Sequence, residues 1–441
     1  MLWARPIGAV AAPLVFLGLA VLFLFFNPLG LESALAERLF AAYGRQAAAP
    51  GPTGPLLPSR LAEILWLAGF GGVAIFVSHR GLAWSVLAVT AGVAGAAWGA
   101  WLLFRQEGRL FDAATVSLAL MLLFAVIAFS WALALHMARM SLRMAFAGSL
   151  PDASVEKIAR DPQLLVTDGE RRECSYLVCG VRGLPELGAG FRDDPATFTR
   201  VMRQILSPLM DQVLAHGGTI DRLTADGFAA FWNAPLDDPS HAIHACEAAN
   251  DMSIRASRVG EILAQQTQSN GRPLPAVEIG IGVATGPLIA GAFGGHDRLG
   301  YSVHGEAVAL AQRIQALSHQ YGPSVIVSGA TAAAADRSFA FLEVDTVAAG
   351  KQDPPVTLYA IIGTPVLKAS PKFRALTTFH DHIFQALRKQ QWSQARALIE
   401  QCRKLSGASP KLYDLHLGRI VYLEKHPPGE NWDGAFRSLL K

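Results

Sequence analysis

The sequence predicts a helical membrane bundle, then a soluble domain of helices and strands on one sheet, then a short helical tail. Two observations carry this. Hydrophobic residues make up 51% of the 441 and charged residues only 17%, and the apolar excess lies before about residue 136. From Cys174 to Gly363, short apolar runs alternate with amphipathic stretches, the pattern of strands and helices sharing one core.

Four apolar runs are long enough to cross a bilayer core of roughly 30 Å at about 1.5 Å per residue. They are Gly8–Phe26, Leu61–Val77, Ala83–Phe104 and Ala113–His136, separated by charged breaks such as His79-Arg80 and Arg105 to Arg109. A cleaved signal peptide is the alternative for the first, since Arg5 precedes it and Ala34-Leu35-Ala36 follows. Its apolar stretch exceeds the usual h-region of about 7 to 15 residues. Four spans put both termini on one side. Arg139, Arg143, Lys157 and Arg160 after the last span place that side in the cytoplasm by the positive-inside rule, although Arg38, Arg45, Arg60, Arg105 and Arg109 then face outward. The loop between the first two spans, rich in Pro and Gly from Ala47 to Ser59, is too short for a folded sensor domain. No span shows the repeated Asp, Glu, Lys or Arg of a transport pathway, so the bundle reads as an anchor or a signal-transmitting element.

Composition also excludes partners. A formal net charge of +3, with no Lys/Arg run interleaved with aromatics, argues against nucleic acid. Cys174, Cys179, Cys246 and Cys402 match no zinc-type pairing and read as reduced thiols. The twelve histidines show no ligand spacing, and His241 with His244 reads as surface decoration on an Ala-rich helix. Gly286, Gly291, Gly294 and Gly295 lack a following Gly-Lys-Ser/Thr, so they read as turn glycines rather than a phosphate loop.

Within the soluble part, Met137–Arg160 is predicted to continue helically from the last span, and Thr167-Asp168-Gly169-Glu170 to break it. Cys174–Arg182 and Ala276–Ala284 read as strands and Pro195–His216 as a helix. Asp226-Gly227 between the apolar runs of Thr219–Phe231 is a strong hairpin signal and sets the Asp226 carboxylate at a turn.

Several of these segments are similar to one family in order and spacing. Arg171-Arg172-Glu173-Cys174-Ser175-Tyr176-Leu177-Val178 with Val181-Arg182-Gly183 resembles the opening strand of class III nucleotidyl cyclases. Ile220-Asp221-Arg222 through Asp226 to Phe231-Trp232-Asn233-Ala234-Pro235 resembles their metal-binding hairpin. Gly280-Ile281-Gly282-Val283-Ala284-Thr285-Gly286 and Tyr301-Ser302-Val303-His304-Gly305-Glu306-Ala307-Val308 resemble the strand, turn and helix start that complete the site. The resemblance covers residues 171–364 and implies an α+β, ferredoxin-like domain. Arg143-Met144-Ala145-Phe146 through Glu156-Lys157-Ile158-Ala159 looks like the juxtamembrane helix of bacterial cyclases bearing an extracytoplasmic CHASE-type sensor, here reduced to the short loop. The tail, with Trp392, Ala395, Pro427-Pro428 and Trp432-Asp433-Gly434, resembles their C-terminal helical segment; an appendage that merely packs on the domain is the plain alternative. The regions expected are thus 1–136 membrane, 137–170 juxtamembrane helix and linker, 171–364 cyclase homology, and 365–441 helical tail, in a multi-pass inner-membrane protein with the cyclase domain cytoplasmic.

The resemblance also implies the chemistry. Cyclisation makes the ribose 3′-hydroxyl attack the α-phosphate of ATP or GTP while pyrophosphate leaves. Two Mg or Mn ions on shared carboxylates and a cation aimed at the phosphate stabilise the growing charge, at a site between two subunits. Residue by residue, the second metal aspartate is Asp226 and the transition-state arginine is Arg313. The lysine that reads the base is replaced by Arg222. Three positions depart from the pattern: Gly180 stands where the first metal aspartate belongs, Ala309 where an asparagine orients the ribose, and Gly300 where the acidic or hydroxyl partner of the base-reading lysine belongs. A pseudoenzyme that dimerises, with itself or with a partner, follows from these departures, with a working adenylate cyclase and a purely scaffolding membrane protein as alternatives.

Overall fold

The computed structural model describes residues 8–26, 57–107, 111–270, 278–295, 298–348, 354–403, 409–429 and 432–436. The chain divides into two compact units, Met1–Ala145 and Phe146–Lys441. Most of the loop between the first two expected spans lies outside the described residues.

The first unit is made of helices α1 (Gly8–Phe26), α2 (Leu57–Ser78), α3 (Leu82–Glu107) and α4 (Ala113–Phe146, whose last residue opens the second unit). Three of them, α2, α3 and α4, carry stretches long and apolar enough to cross a membrane; α1 carries a shorter apolar stretch, Ala11–Phe25. Side chains such as Leu65, Phe76 and Phe129 stand exposed, as on helices solvated by lipid, while Leu67, Ala74, Val116, Leu120 and Leu123 form the interior. Small residues bring the helices close: a Cβ on Gly95 would stand 2.6 Å from the Trp66 ring, and the Trp66 indole donates to the Gly92 carbonyl at 3.0 Å. Glu63 is buried at the start of α2 and accepts from the Asp112 amide at 2.9 Å, just before α4 begins. This buried carboxylate closes a helix connection.

In the second unit the expected continuous helix over 137–160 is interrupted. After α4 the chain turns at Gly148 (φ +74°) and Pro151 before α5 (Asp152–Arg160), because a left-handed residue and a ring-locked one cannot continue a helix. Leu150, Val155 and Ile158 pack with Leu165 and Leu236, and the Ile220 amide donates to the Ser149 carbonyl at 2.7 Å.

The sheet follows. Its strands are β1 (Glu170–Arg182), β2 (Thr219–Leu223), β3 (Gly227–Trp232), β4 (Glu278–Gly295), β5 (Arg298–His304), β6 (Val325–Ser328), β7 (Ala340–Val347) and β8 (Val356–Gly363). They lie in the order β2-β3-β1-β4-β6-β8-β7, with β5 paired to the far half of β4; β4 and β6 run parallel and the other pairs antiparallel. β4 continues well past the expected end at Ala284, since its second half finds a partner in β5. Gly286, Gly291, Gly294 and Gly295 therefore lie inside a strand rather than in turns. At Gly291 a Cβ would come within 2.9 Å of Gly169 Cα, so its absence lets the chain entering β1 cross close by, where Ala292 donates to the Thr167 carbonyl at 3.0 Å.

Alternation along β1 divides the core. Leu177, Cys179 and Val181 face one layer with helices α6 (Leu184–Gly190), α7 (Pro195–Ala215) and α8 (His241–Asn270), whereas Cys174 and Tyr176 face the other, with α9 (Glu306–Tyr321). His241 does not decorate the surface. At the start of α8 it bonds Ser175 Oγ through Nδ1 at 2.9 Å, and burial lowers its pKa. From Ser175 a chain of buried hydroxyls runs through Thr285 to Thr331. All four cysteines are free and buried.

After the short helices α10 (Gly329–Ala334) and α11 (Pro365–Lys368), the tail forms α12 (Pro371–Arg388), α13 (Trp392–Arg403) and α14 (Pro410–Lys425). It closes a core of its own around Ile383, Phe384, Ile399 and Ile420 against Leu342 of β7. His380 and His416 bond consecutive β7 carbonyls, Glu343 and Val344, each at 2.9 Å, and burial lowers the His416 pKa to about 4, so it docks uncharged. Arg419 of α14 pairs with Asp345 of β7 at 2.8 Å with both side chains under 8% exposed, and Tyr321 of α9 donates to the same carboxylate. Arg419→Ala leaves Asp345 buried and without its cation, so denaturant unfolding of the second unit is expected to show a loss of about 3–5 kcal/mol, most of it recovered in Asp345→Asn/Arg419→Met.

Candidate functional site

β2 and β3 form the hairpin that Asp226-Gly227 predicts. Thr224 donates to Asp226 Oδ1 through its hydroxyl and to the Gly227 carbonyl through its amide, both at 2.9 Å, which leaves the Asp226 carboxylate exposed beside the end of β1. Gly227 allows the turn to close: a Cβ there would lie 1.9 Å from the Cys179 carbonyl oxygen. Val181 donates its amide to the Asp226 carbonyl at 2.7 Å and fixes the turn against β1.

Gly180 sits in β1 opposite Gly227 on one side and Gly280 on the other. Its missing side chain would point to the α9 layer, and Asp226 Oδ2 lies 3.7 Å from where its Cβ would stand. The register thus places position 180 beside Asp226, where paired carboxylates would meet. Cys179 does not substitute. It faces the opposite layer, and burial, with Asp226 nearby, pushes its pKa up to about 12, so it stays a thiol rather than a metal-binding thiolate.

Arg222 folds back instead of reaching outward. Its Nε donates to Asp221 at 2.9 Å and its Nη2 to the Tyr176 hydroxyl at 3.2 Å. Asp221, with a side chain only 2% exposed, also accepts from Tyr176 at 2.6 Å and from the Ser302 hydroxyl. Burial first, then the Asp221 charge, raise the Tyr176 pKa, so its hydroxyl remains a donor. Gly300 lies two residues before Ser302 in β5, with open space where its Cβ would stand. The hydroxyls in the Arg222 cluster are thus those of Tyr176, which Arg222 bonds directly, and Ser302, which it meets through Asp221. Period-two alternation through Gly300 and Ser302, together with the bulge between Ile220 and Arg222 that turns Asp221 inward, is the sequence signal that could have found Asp221, Tyr176 and Ser302.

On α9, Ala309 and Arg313 are exposed one turn apart on one face, and Arg313 makes no ion pair or hydrogen bond among the described residues. The structure keeps Arg313 free to meet an anion. Next to it the helix lies directly on glycines: a Cβ on Gly282 would come within 2.3 Å of the Ala311 carbonyl oxygen and 2.5 Å of the Gln315 amide nitrogen, and one on Gly280 within 2.3 Å of Ser318 Oγ.

The Mg or Mn pair implied by the resemblance does not fit these donors. Asp226 supplies one carboxylate, Gly180 none, and Asp221 is sequestered by three donors; among the described residues no three His, Cys, Asp or Glu side chains are grouped to hold an ion.

Residues 194–362, from the threshold of α7 to the end of β8, match the family model of the adenylate and guanylate cyclase catalytic domain. The chain thus carries a class III cyclase domain behind apolar N-terminal helices. β1, with Gly180, precedes the matched segment. Adenylate cyclase 1 of Rhizobium meliloti (strain 1021) is 30% identical over 169 residues, which are 38% of this chain and 24% of the relative. The adenylate cyclase of Anabaena cylindrica is 27% identical over 157 residues, 36% of this chain and 30% of the relative. The chain therefore covers less than a third of the length of these relatives. Among solved structures, the adenylyl cyclase CyaB from P. aeruginosa aligns at 23% identity and a TM-score of 0.39, over 44% of this chain and 95% of that one.

Asp221→Ala removes the acceptor of three donors and leaves the Tyr176 hydroxyl to Arg222 alone. It is expected to destabilise the second unit by about 1–3 kcal/mol in urea titrations, and more than Ser302→Ala.

Proposed function

We propose that this chain is a membrane-anchored, class III nucleotidyl cyclase-like signalling protein whose own cyclase activity is weak or absent, and that it works by dimerising through its cyclase domain and holding a nucleotide there. The observation that carries the reading is Gly180 beside Asp226: one of two shared carboxylates is missing at the position where the register would bring them together. Ala309 removes the ribose contact from the other half-site, so a homodimer holds no complete copy. Pairing with a complete cyclase repairs only part of this, since the chain presents either Gly180 or Ala309 to each shared site. What remains suits binding. Arg313 offers an unpaired cation for phosphate, and Arg222 with Ser302 offers a donor and a hydroxyl beside the hairpin.

A working adenylate cyclase is the second reading, supported by the names of the relatives and by the survival of Asp226 and Arg313. A scaffold would bind no nucleotide.

Two outcomes follow. Removing a transition-state contact costs about 100- to 1000-fold, so the purified chain with ATP or GTP and Mg or Mn is expected to turn over at least about 100-fold below an ordinary rate of roughly 1 per second, while still binding nucleotide in equilibrium dialysis. Turnover at the ordinary rate establishes the second reading, and no binding establishes the scaffold. For topology, a reporter fused after Lys441 is expected in the cytoplasm and one inserted near Gly51 outside; both on one side means that the four-span arrangement is wrong.

A further inference from the structure

Position 180 is not an empty notch. A Cβ built on Gly180 stands 2.2 Å from Gln315 Nε2, closer than real Cβ atoms approach a neighbour, and 3.1 Å from Gln315 Cδ, so the end of the Gln315 side chain occupies this space and would have to swing aside for a side chain there. The same point lies 3.7 Å from Asp226 Oδ2, so amide and carboxylate flank one small volume. Nor is Gln315 placed by chance of rotamer alone. Its backbone nitrogen and Cα lie 2.5 and 3.1 Å from where a Cβ of Gly282 would stand, so α9 is pinned to β4 at this residue, from which the side chain reaches over β1. The carboxamide makes no hydrogen bond among the described residues, and the side chain is half-buried, which leaves it a way out toward solvent.

We propose that Gln315 is the residue that closes the metal side of this site: its neutral carboxamide takes the volume that a carboxylate at 180 would need, and by standing beside Asp226 it keeps divalent cations from that carboxylate. The inference rests on the reading of a degenerate cyclase site and adds its physical cause on this chain. An amide next to a carboxylate offers donors and one weak acceptor, where a divalent ion asks for charged oxygens. On this geometry, placing a carboxylate at 180 with Gln315 unchanged gives a crowded site instead of a metal site.

The test is a pair of substitution cycles on the full chain in nanodiscs. Gly180→Ala has to turn Gln315 aside and is expected to lower Tm more in the native background than in a Gln315→Ala background, where no side chain has to move. Equal effects in the two backgrounds would overturn the proposal, because Gln315 would then not occupy the volume. In calorimetric titration with Mn2+, Gly180→Asp/Gln315→Ala is expected to bind at least about 10-fold more tightly than both the native chain and Gly180→Asp. Native binding as tight as that of the double variant, or coupling in Tm without a gain in Mn2+ affinity, overturns the exclusion of metal. Should the double variant not fold, the alanine cycle still decides whether Gln315 fills the site. Cyclase turnover by the native chain would instead contradict the proposed function and leave the coupling between 180 and 315 standing.

Discussion

Helix α9 rests on a bed of strand glycines, and much of the second unit depends on that contact. Gly282 of β4 lets the helix backbone approach to a distance at which any Cβ would collide, Gly280 makes room for the Ser318 and Arg182 side chains, and Gly180 of β1 continues the same bed beneath Gln315. Close seating has three consequences. It sets Ala309 and Arg313 on the helix face that remains exposed, it brings Tyr321 at the helix end onto Asp345 of β7, and it spreads Gln315 over the start of the hairpin turn. A strand glycine ordinarily costs backbone entropy, and here that cost is offset by dense packing of Ala307, Ala311 and Ile314 on the sheet.

The two halves of the site meet different fates under this constraint. On the hairpin side, Asp221, Tyr176, Arg222 and Ser302 form a closed polar cluster in which a nearly buried carboxylate is satisfied by three donors. Such a cluster is rigid and holds β1, β2 and β5 in register, and a nucleotide base would have to draw Arg222 out of it. On the other side Asp226 is held out at the turn, a glycine stands at position 180, and the neutral Gln315 carboxamide lies over it.

Local signals made much of this legible in the sequence. The Asp-Gly turn placed the hairpin and Asp226, since its requirement is carried by adjacent residues, and apolar length placed the membrane-type helices. Gly180 and Ala309 read as departures only through the resemblance, because each is a missing side chain where the family pattern has a polar one. What escaped depends on contacts distant in sequence. The length of β4 is set by its pairing with β5, and glycine content alone suggested turns there. His241 looked like a surface residue on an Ala-rich helix until Ser175, 66 residues away, supplied its partner. The break between α4 and α5 lay under an apolar pattern, although Gly148 and Pro151 announced it. Gln315 carried no motif, and its role follows only from the seating of α9.

Anomalous diffraction from crystals of the full chain grown with Mn2+ and a non-hydrolysable ATP analogue would test the central claim most directly. We expect nucleotide near Arg313, Gln315 lying against Gly180, and no manganese peak at Asp226. Two manganese ions bridged by Asp226, with Gln315 displaced toward solvent, would contradict it.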